Sequence, residues 1–455
     1  MKRTKRIAAG AASLAMAASM ALAIPMGASA AGTNYTAVKG STTTFDKYLV
    51  LDEGSNVPNV SFEYTVAAGT AQNFDAAGKT IAVYSGPTPE KIAFSGTGIT
   101  DATTTDRTFE IGFAQTDAAI LEANKGASDY VKNLDAGEKY AKKTATLDFA
   151  NVEFTEPGIY RYVITETVGD AQGITYDSDN TRILDVYVED DTPANGAKTL
   201  KVSKYILHAT ADTITINDTT YGSNGEVVSG STTQTPGVET SDYKSQGFTN
   251  EYSSYDLTFS KTVTGNQGSK DKYFAFTVDI SGAVAGTVFD VSYANDDNPN
   301  TTDGNADVSI SANPNSATTC ITSDVNQPVK LTVGTDGTVS HVFYLQHGQK
   351  IAIRGLAEGT KYTITEAVED YSASAAITGD ADAAANASIA TNGIVADSTT
   401  GITDDTVVAY TNNRAGTIPT GVLLSVAAPA GVGTVMLGGI AYLLLKNKRR
   451  RDEEE

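Results

Sequence analysis

The amino-acid sequence predicts an all-β protein of two tandem immunoglobulin-like β-sandwich domains, and two observations support this fold class. First, short runs rich in Thr, Val, Ile, Tyr and Phe, such as 61–66, 160–164 and 273–278, are separated by clusters of Gly, Asn, Asp and Ser. Many short strands with turn signals between them are typical of such sandwiches. Second, the same strand motifs occur twice along the chain in the same order. The one stretch with helical periodicity is 117–130, where we expect a short helix.

Two apolar segments flank the predicted domains. Residues 1–30 have a basic start, an apolar run and a small-residue ending at 28–30, which is the layout of a secretory signal peptide. The stretch 422–445 contains no charged residue and is long enough to cross a hydrocarbon core of ~30 Å as a transmembrane helix. The tail 446–455 begins with a basic cluster, which stays on the cytoplasmic side. We therefore expect an exported body with a C-terminal membrane stop.

Composition excludes some partners and some forms of stabilisation. The chain has 33 basic and 54 acidic residues, with a formal net charge of -21. Such a charge argues against nucleic acid or an anionic membrane surface as a partner. Cys320 is the single cysteine, so the chain cannot form an internal disulfide, the usual staple of exported proteins. Some other bond must secure the fold if it is to withstand force or proteases.

The internal repeat sets the expected domain boundaries. Each copy opens with a lysine-bearing strand, continues through a strand that ends in Thr-Glu, and closes on a Thr-Asn pair. We place the boundary near Ser253–Ser254, which gives an N-terminal domain at 31–253 and a C-terminal domain at 254–416. The first copy is the longer one, and we expect its insertions at 67–145 and 190–240.

Each repeat aims one lysine, one glutamate and one asparagine at its interior. Side chains of a strand alternate between its two faces, and these three residues share the parity of the apolar residues around them. In the second copy Asn413 is a near alternative to Asn412, and strand parity prefers Asn412. The residues are Lys47, Glu166 and Asn250 in the first copy, and Lys261, Glu366 and Asn412 in the second.

Burial of this triad favours a single covalent reaction. Desolvation lowers the pKa of a lysine and raises that of a glutamate, and a neutral amine is a nucleophile. Held in contact, the lysine can attack the asparagine side-chain carbon and expel ammonia, which leaves an amide cross-link. The alternative is a buried Lys–Glu ion pair beside an asparagine that ends a strand. Two copies in the same order, in a chain without disulfides, favour the cross-link.

The same motifs carry a resemblance to a known family. They are the segment 149–160 with Glu166, the segment 257–265 with its lysine, and the closing Phe-Thr-Asn and Tyr-Thr-Asn at 248–250 and 410–412. Over nearly all of 40–421 the chain resembles the pilin isopeptide-linkage domain family, the major (backbone) pilins of Gram-positive sortase-assembled pili. The resemblance implies isopeptide bonds that join Lys47 to Asn250 and Lys261 to Asn412.

A sortase motif precedes the apolar span. Residues 417–421 read Thr-Ile-Pro-Thr-Gly, and with the span and the basic tail they form a three-part cell-wall sorting signal. The motif resembles the Val-Pro-Thr-Gly variant of streptococcal pilins, with Ile418 in place of Val before Pro419. The resemblance implies that a pilus-specific sortase cleaves between Thr420 and Gly421 and joins Thr420 to an amine. The alternative is an ordinary membrane-tethered ectodomain.

A shaft subunit also needs a lysine that receives the next subunit. In the resembling pilins this lysine lies a few residues before the asparagine of the first domain. Lys244 is the nearest candidate here, and Lys201 and Lys204 are its rivals.

No motif predicts an enzyme, a cofactor or a metal site. His208, His341 and His347 fall in no metal-binding pattern, and the glycine-containing segment 265–270 lacks the spacing of a phosphate loop. We therefore expect a wall-anchored pilus shaft subunit. Its expected partners are a pilus-specific sortase, copies of itself in a head-to-tail polymer, peptidoglycan, and tip and base pilins, with no nucleic acid. The alternative is a monomeric wall-anchored adhesin that binds a host ligand.

Overall fold

A computed structural model describes most of the region between the two apolar segments. The described residues are 35–76, 79–103, 107–209, 213–216, 219–222, 227–229, 245, 247–295, 329–367, 370–380, 388–390, 393–398 and 400–416. The expected signal peptide, sortase motif, transmembrane segment, charged tail and Lys244 lie outside them. Within these ranges no helix is long and apolar enough to cross a membrane.

The described residues form β-strands and two short 3₁₀ helices, at Pro89–Lys91 and Glu122–Asn124, so the expectation of an all-β fold is confirmed. The strands of the first half are β1 (Val38–Lys39), β2 (Thr42–Asp52), β3 (Val60–Ala68), β4 (Gln72–Ala76), β5 (Lys79–Ser85), β6 (Ala93–Gly96), β7 (Ile99–Thr103), β8 (Thr108–Phe113), β9 (Ala119–Leu121), β10 (Glu138–Asp148), β11 (Glu153–Phe154), β12 (Gly158–Glu166), β13 (Ile174–Thr175), β14 (Thr181–Asp190), β15 (Leu200–His208), β16 (Thr213–Ile216), β17 (Thr219–Gly222), β18 (Val227–Ser229) and β19 (Gly247–Tyr252). Those of the second half are β20 (Ser254–Thr264), β21 (Phe274–Ser281), β22 (Val288–Asn295), β23 (Val329–Thr332), β24 (Thr338–Leu345), β25 (Gln349–Ala357), β26 (Lys361–Ala367), β27 (Ser372–Thr378), β28 (Ser388–Ala390), β29 (Gly393–Asp397) and β30 (Thr406–Asn413).

Two main sheets make up the first half. Sheet 1 has the order β13-β19-β2-β10-β6, with β9 also paired to β10. Sheet 2 has the order β15-β14-β12-β3-β8-β7, with β5 parallel to β12 and β4 paired to β5. One buried cluster of aromatic and aliphatic side chains, which includes Phe45, Phe62 and Phe248, forms the core of this half.

The second half repeats this topology. Sheet 3 has the order β23-β22-β25-β20-β30-β27, and sheet 4 has the order β24-β21-β26-β29-β28. Its core is a separate cluster that includes Phe259, Phe276 and Tyr410. Strands with the same sheet neighbours and the same order along the chain are β2 and β20, β3 and β21, β6 and β22, β8 and β24, β10 and β25, β12 and β26, β13 and β27, β14 and β29, and β19 and β30.

The first and the last shared strand of each half are parallel neighbours. β2 pairs with β19 in parallel, and β20 pairs with β30 in parallel. The strands that open and close each repeat therefore lie side by side, although much of the repeat separates them in sequence.

The expected helix at 117–130 is wrong. Asp117 accepts a hydrogen bond from the backbone N–H of Ala114 at 2.8 Å and pairs with Lys143 at 2.7 Å. The chain then forms the short strand β9, in which Ile120 lies opposite Tyr140 of β10. Ile120 packs there on a small cluster outside the main core. Strand pairing and this contact outweigh the local helical propensity of an alanine-rich segment.

The first expected insertion also ends too late. The range 67–145 includes most of β10, which pairs with β2 along its whole length and has the same sheet neighbours as β25. The strands with no counterpart in this region are β4, β5, β7 and β9.

Candidate functional site

The first triad lies between sheets 1 and 2. Lys47 is on β2, Asn250 is on the neighbouring strand β19, and Glu166 is the last residue of β12 in the opposite sheet. The exposed fraction of all three side chains is 0%. The sequence produces this placement because the three residues alternate in phase with core residues such as Phe45 and Ile164.

Glu166 connects the other two residues. The ammonium of Lys47 donates to Glu166 Oε1 at 2.8 Å and to Oε2 at 3.0 Å. The amide nitrogen of Asn250 donates to the same Oε1 at 2.6 Å. One carboxylate oxygen therefore contacts both the amine that would attack and the nitrogen that would leave.

Burial makes Lys47 a better nucleophile than an ordinary lysine. Desolvation lowers the pKa of Lys47 to about 8, although the nearby Glu166 carboxylate opposes this shift. The ring of Phe62 lies 4.4 Å from the amine and keeps water away from it. The partly exposed Lys142 differs, because desolvation is outweighed by the hydrogen bonds that it donates to Asp129 and Asp46, which raise the pKa of this lysine. Lys142 is thus an ordinary ion-paired cation.

The carbonyl of Asn250 has its own hydrogen-bond donor. Asn250 Oδ1 accepts from the backbone N–H of Asp177 at 2.8 Å. The Asp177 side chain is held in turn, since its Oδ2 accepts from Arg182 at 2.9 Å and its Oδ1 accepts from Lys132 at 3.2 Å. Burial would raise the pKa of Asp177, but the charges of Arg182 and Lys132 keep it below its ordinary value. Asp177 therefore stays ionised and fixed beside the amide.

Sequence reasoning did not identify Asp177 or Arg182. A backbone donor leaves no trace in side-chain chemistry, so Asp177 had no detectable signal. Arg182 had one, because it shares the strand parity of Leu184 and Val186, two core residues of β14. An arginine in that phase is buried and needs a partner.

The second triad repeats the arrangement between sheets 3 and 4. Lys261 on β20 donates to Glu366 Oε1 at 2.5 Å, and Asn412 on β30 donates its amide to the same oxygen at 2.6 Å. The exposed fractions are 1% for Lys261 and 0% for the other two. Asn413, the neighbouring alternative, has an exposed side chain.

In the second triad, electrostatics favour a proton that is shared between the lysine and the glutamate. Desolvation lowers the pKa of Lys261 to about 8, and it raises the pKa of Glu366 against the opposing charge of that lysine. The ring of Phe274 lies 4.5 Å from the amine. Among the described residues, Glu366 Oε2 and Asn412 Oδ1 are buried without a hydrogen-bond partner.

Comparison with known proteins assigns most of the first half of the chain to a protein family. Residues 76–253 match a family model described as "Spy0128-like isopeptide containing domain". Residues 76–253 belong to the pilin isopeptide-domain family. Residues 255–414 match a second family model, described as "Domain of unknown function (DUF7601)". The expected resemblance to pilins is thus confirmed.

Proteins similar to this chain are described as pilins. A curated protein of Streptococcus pyogenes serotype M1 named "Pilin" is 24% identical over 308 residues, which is 67% of this chain and 72% of that protein. The crystal structure of the major pilin from Streptococcus pyogenes is 16% identical, covers 83% of this chain and 100% of its own, and gives a TM-score of 0.46. The structure of the major pilin T3.2 of the same species is 17% identical and gives a TM-score of 0.45. The match covers 83% of this chain and 99% of that pilin chain.

The two rival lysines and the histidines are not members of either triad. Lys201 and Lys204 are on β15, the outer strand of sheet 2, where Lys201 is exposed and Lys204 lies 4.9 Å from the ring of Tyr187. His208 is buried beside Asp185, and His347 accepts the backbone N–H of Val263 at 3.0 Å. Over the ranges that the structure describes, no three His, Cys, Asp or Glu side chains are grouped to hold a metal ion.

Proposed function

We propose that this pilin is a shaft subunit of a covalent pilus, in which an intramolecular Lys–Asn isopeptide bond closes each domain. A pilus sortase polymerises the subunits, and the polymer is attached to the cell wall. The observation that carries the proposal is the convergence of two buried Lys–Glu–Asn triads in the same strand register.

The register is the same in both halves. Lys47 lies opposite Phe248, two residues before Asn250, and Lys261 lies opposite Tyr410, two residues before Asn412. Parallel neighbours with this offset bring the lysine and the asparagine to one carboxylate. A chance ion pair has no reason to recur with the same offset and the same third residue.

In the proposed reaction the glutamate is the only group that needs to carry protons. The glutamate takes a proton from the lysine ammonium, and the neutral amine attacks the asparagine side-chain carbon. The glutamate passes this proton to the amide nitrogen and takes up the second proton that the attacking nitrogen must lose. The C–N bond to the amide nitrogen then breaks, and ammonia leaves while the glutamate stays protonated. Lysine and asparagine remain joined by an amide, and no oxidant or cofactor is consumed.

Glu166 and Glu366 suit this role because each contacts both nitrogens through one oxygen. General acid–base catalysis needs such hydrogen-bond contact with the proton that moves. Fixed geometry supplies the rest, since well-oriented groups react with effective molarities on the order of 10⁵ M or more.

Intact-mass measurement tests the cross-links. The segment 31–416 is expected to weigh about 34 Da less than its calculated mass, because two ammonia molecules leave when two amines attack two amides. Digestion followed by mass spectrometry should then identify a peptide pair joined through Lys47 and Asn250 and another joined through Lys261 and Asn412. A full calculated mass would contradict the proposed bonds.

Polymerisation is proposed from the sorting signal at 417–421 and from the pilin relatives. In this proposal Thr420 is joined to a lysine of the next subunit, with Lys244 as the first candidate, and finally to peptidoglycan. An immunoblot of a cell-wall extract should contain a ladder that withstands boiling in SDS. A single band would favour the alternative, a monomeric adhesin. Substitution of Lys244, Lys201 or Lys204 by Arg identifies the receiving lysine, since only the correct variant loses the ladder.

A further inference from the structure

The two triads differ at the carbonyl oxygen of the asparagine. Asn250 Oδ1 accepts the backbone N–H of Asp177 at 2.8 Å. Asn412 Oδ1 is buried and, among the residues that the structure describes, has no hydrogen-bond partner. When an amine attacks an amide, negative charge develops on this oxygen, and a fixed donor there stabilises the transition state.

Strand pairing explains the difference. In the first half β13 is short, and its pairing with β19 ends at Thr175, opposite Glu251. The chain then leaves the sheet edge, which frees the N–H of Asp177 to point at Asn250. In the second half β27 pairs with β30 from Ser372 through Thr378. The N–H groups of a continuous strand lie in the plane of the sheet, so none of them can point at Asn412.

A buried ion pair fixes the donor in the first half. Arg182 is fully buried and donates to Asp177 Oδ2 at 2.9 Å and to Ser245 Oγ at 2.8 Å. The same Asp177 oxygen accepts the backbone N–H of Thr249, the residue before Asn250, at 3.2 Å. Arg182 and the Asp177 side chain therefore hold together the two chain segments that carry the donor and the amide.

We propose that the Asp177 backbone N–H acts as an oxyanion donor for the first cross-link, that Arg182 is the residue that positions it, and that the first bond therefore forms faster than the second. This inference rests on the proposed function. Loss of one oxyanion donor typically slows an enzyme on the order of 10²–10³-fold. We expect a difference of at least roughly tenfold between the two bonds of one chain.

The test follows both bonds in the same molecules. The full chain is produced by pulse-labelled cell-free translation, samples are stopped in acid at successive times, and the two cross-linked peptides are quantified after digestion. The first bond should form faster in the wild type. Arg182→Gln should slow the first bond and leave the second unchanged, while Arg182→Lys, which can keep the ion pair, should restore part of the rate.

Two further measurements separate positioning from folding. Protease resistance of the first half, taken at the same times, gives the fraction of folded chains, and the rate is expressed per folded chain. Lys132→Met removes the other cation that contacts Asp177 and should slow the first bond less than Arg182→Gln does. Equal rates for the two bonds, or equal slowing of both by Arg182→Gln, would overturn the inference and leave the proposed function standing. Absence of either cross-linked peptide in the wild type would overturn both.

Discussion

Lys47 and Asn250 lie on parallel neighbouring strands and donate hydrogen bonds to the same oxygen of Glu166. Lys261 and Asn412 have the same relationship through Glu366. A bond between such residues would join the strand that opens a repeat to the strand that closes it. Tension applied at the ends of the repeat would then pass through one short covalent path and bypass the strands between.

Each glutamate is expected to be essential for the cross-link in its own triad, so that each accounts for the loss of one ammonia molecule. Glu166→Gln keeps the shape of the side chain but removes the group that accepts and returns the proton, so this variant should lose one ammonia instead of two. Glu366→Gln should behave in the same way at the other site. Intact mass, compared with the mass calculated for each variant, measures the loss.

Lys142→Ala is the matched control for these variants. It removes a lysine that is paired with two aspartates, Asp46 and Asp129, but lies outside both triads. Both ammonia losses should persist in this variant. If either glutamine variant still loses two ammonia molecules, the glutamates are not the proton carriers.

Without its cross-link, the first triad should make stability depend on pH. In Asn250→Ala the buried Lys47 keeps a pKa of about 8, against an ordinary value of 10.5 in the unfolded chain. Below pH 8 the lysine is protonated in both states and its burial destabilises the fold. Between pH 8 and about 10 the folded state has released this proton while the unfolded state still holds it, so the free energy of unfolding rises with pH.

Guanidinium unfolding of Asn250→Ala at successive pH values measures this rise. The window closes near pH 10, because buried tyrosines such as Tyr64 have raised pKa values and the unfolded state then ionises first. The matched control adds Lys47→Met and Glu166→Gln to Asn250→Ala, which removes both charges of the buried pair. If the free energy of unfolding rises equally steeply with pH in the control, Lys47 is not the source of the rise.

Force spectroscopy should distinguish a closed domain from an open one. When the cross-linked chain is pulled from its ends, the residues between Lys47 and Asn250 should not extend. In Asn250→Ala, unfolding of the first domain should release about 200 residues, an added contour length on the order of 700 Å. The same variant should also lose the ~5 kcal/mol that closure of a loop of this length contributes in the simple chain model. Equal extension of the wild type and the variant would contradict the clamp.

Much of the fold and of the candidate site was predictable because a strand has a side-chain period of two. That period places Lys47, Glu166 and Asn250 in phase with apolar neighbours, and a second copy of the pattern argues against coincidence. The short strand β9 was not predictable, since its sequence is rich in helix-forming residues and only its contact with β10 decides its conformation. The Asp177 donor was hidden for a related reason, because it depends on where the pairing of β13 with β19 ends.

Gly247 is expected to control the approach of β19 to β2, and so the position of Asn250. Its φ is +155°, and a Cβ atom there would lie 1.7 Å from the carbonyl oxygen of Asp46, the residue before Lys47. Gly247→Ala must therefore push the two strands apart at the end where the triad forms. We expect this variant to lose about 1–3 kcal/mol of stability, as overpacked sites do.

Gly54→Ala is the matched control, because a Cβ at Gly54 would have no neighbour within 4 Å. Removal of a glycine at such an open site should be neutral or slightly stabilising. Thermal unfolding measures the stability of both variants, and the yield of the peptide joined through Lys47 and Asn250 measures the reaction. Gly247→Ala should lower this yield and spare the bond between Lys261 and Asn412, whose strands it does not touch. An undiminished first bond in Gly247→Ala would mean that strand spacing at Asp46 does not govern the contact between Lys47 and Asn250.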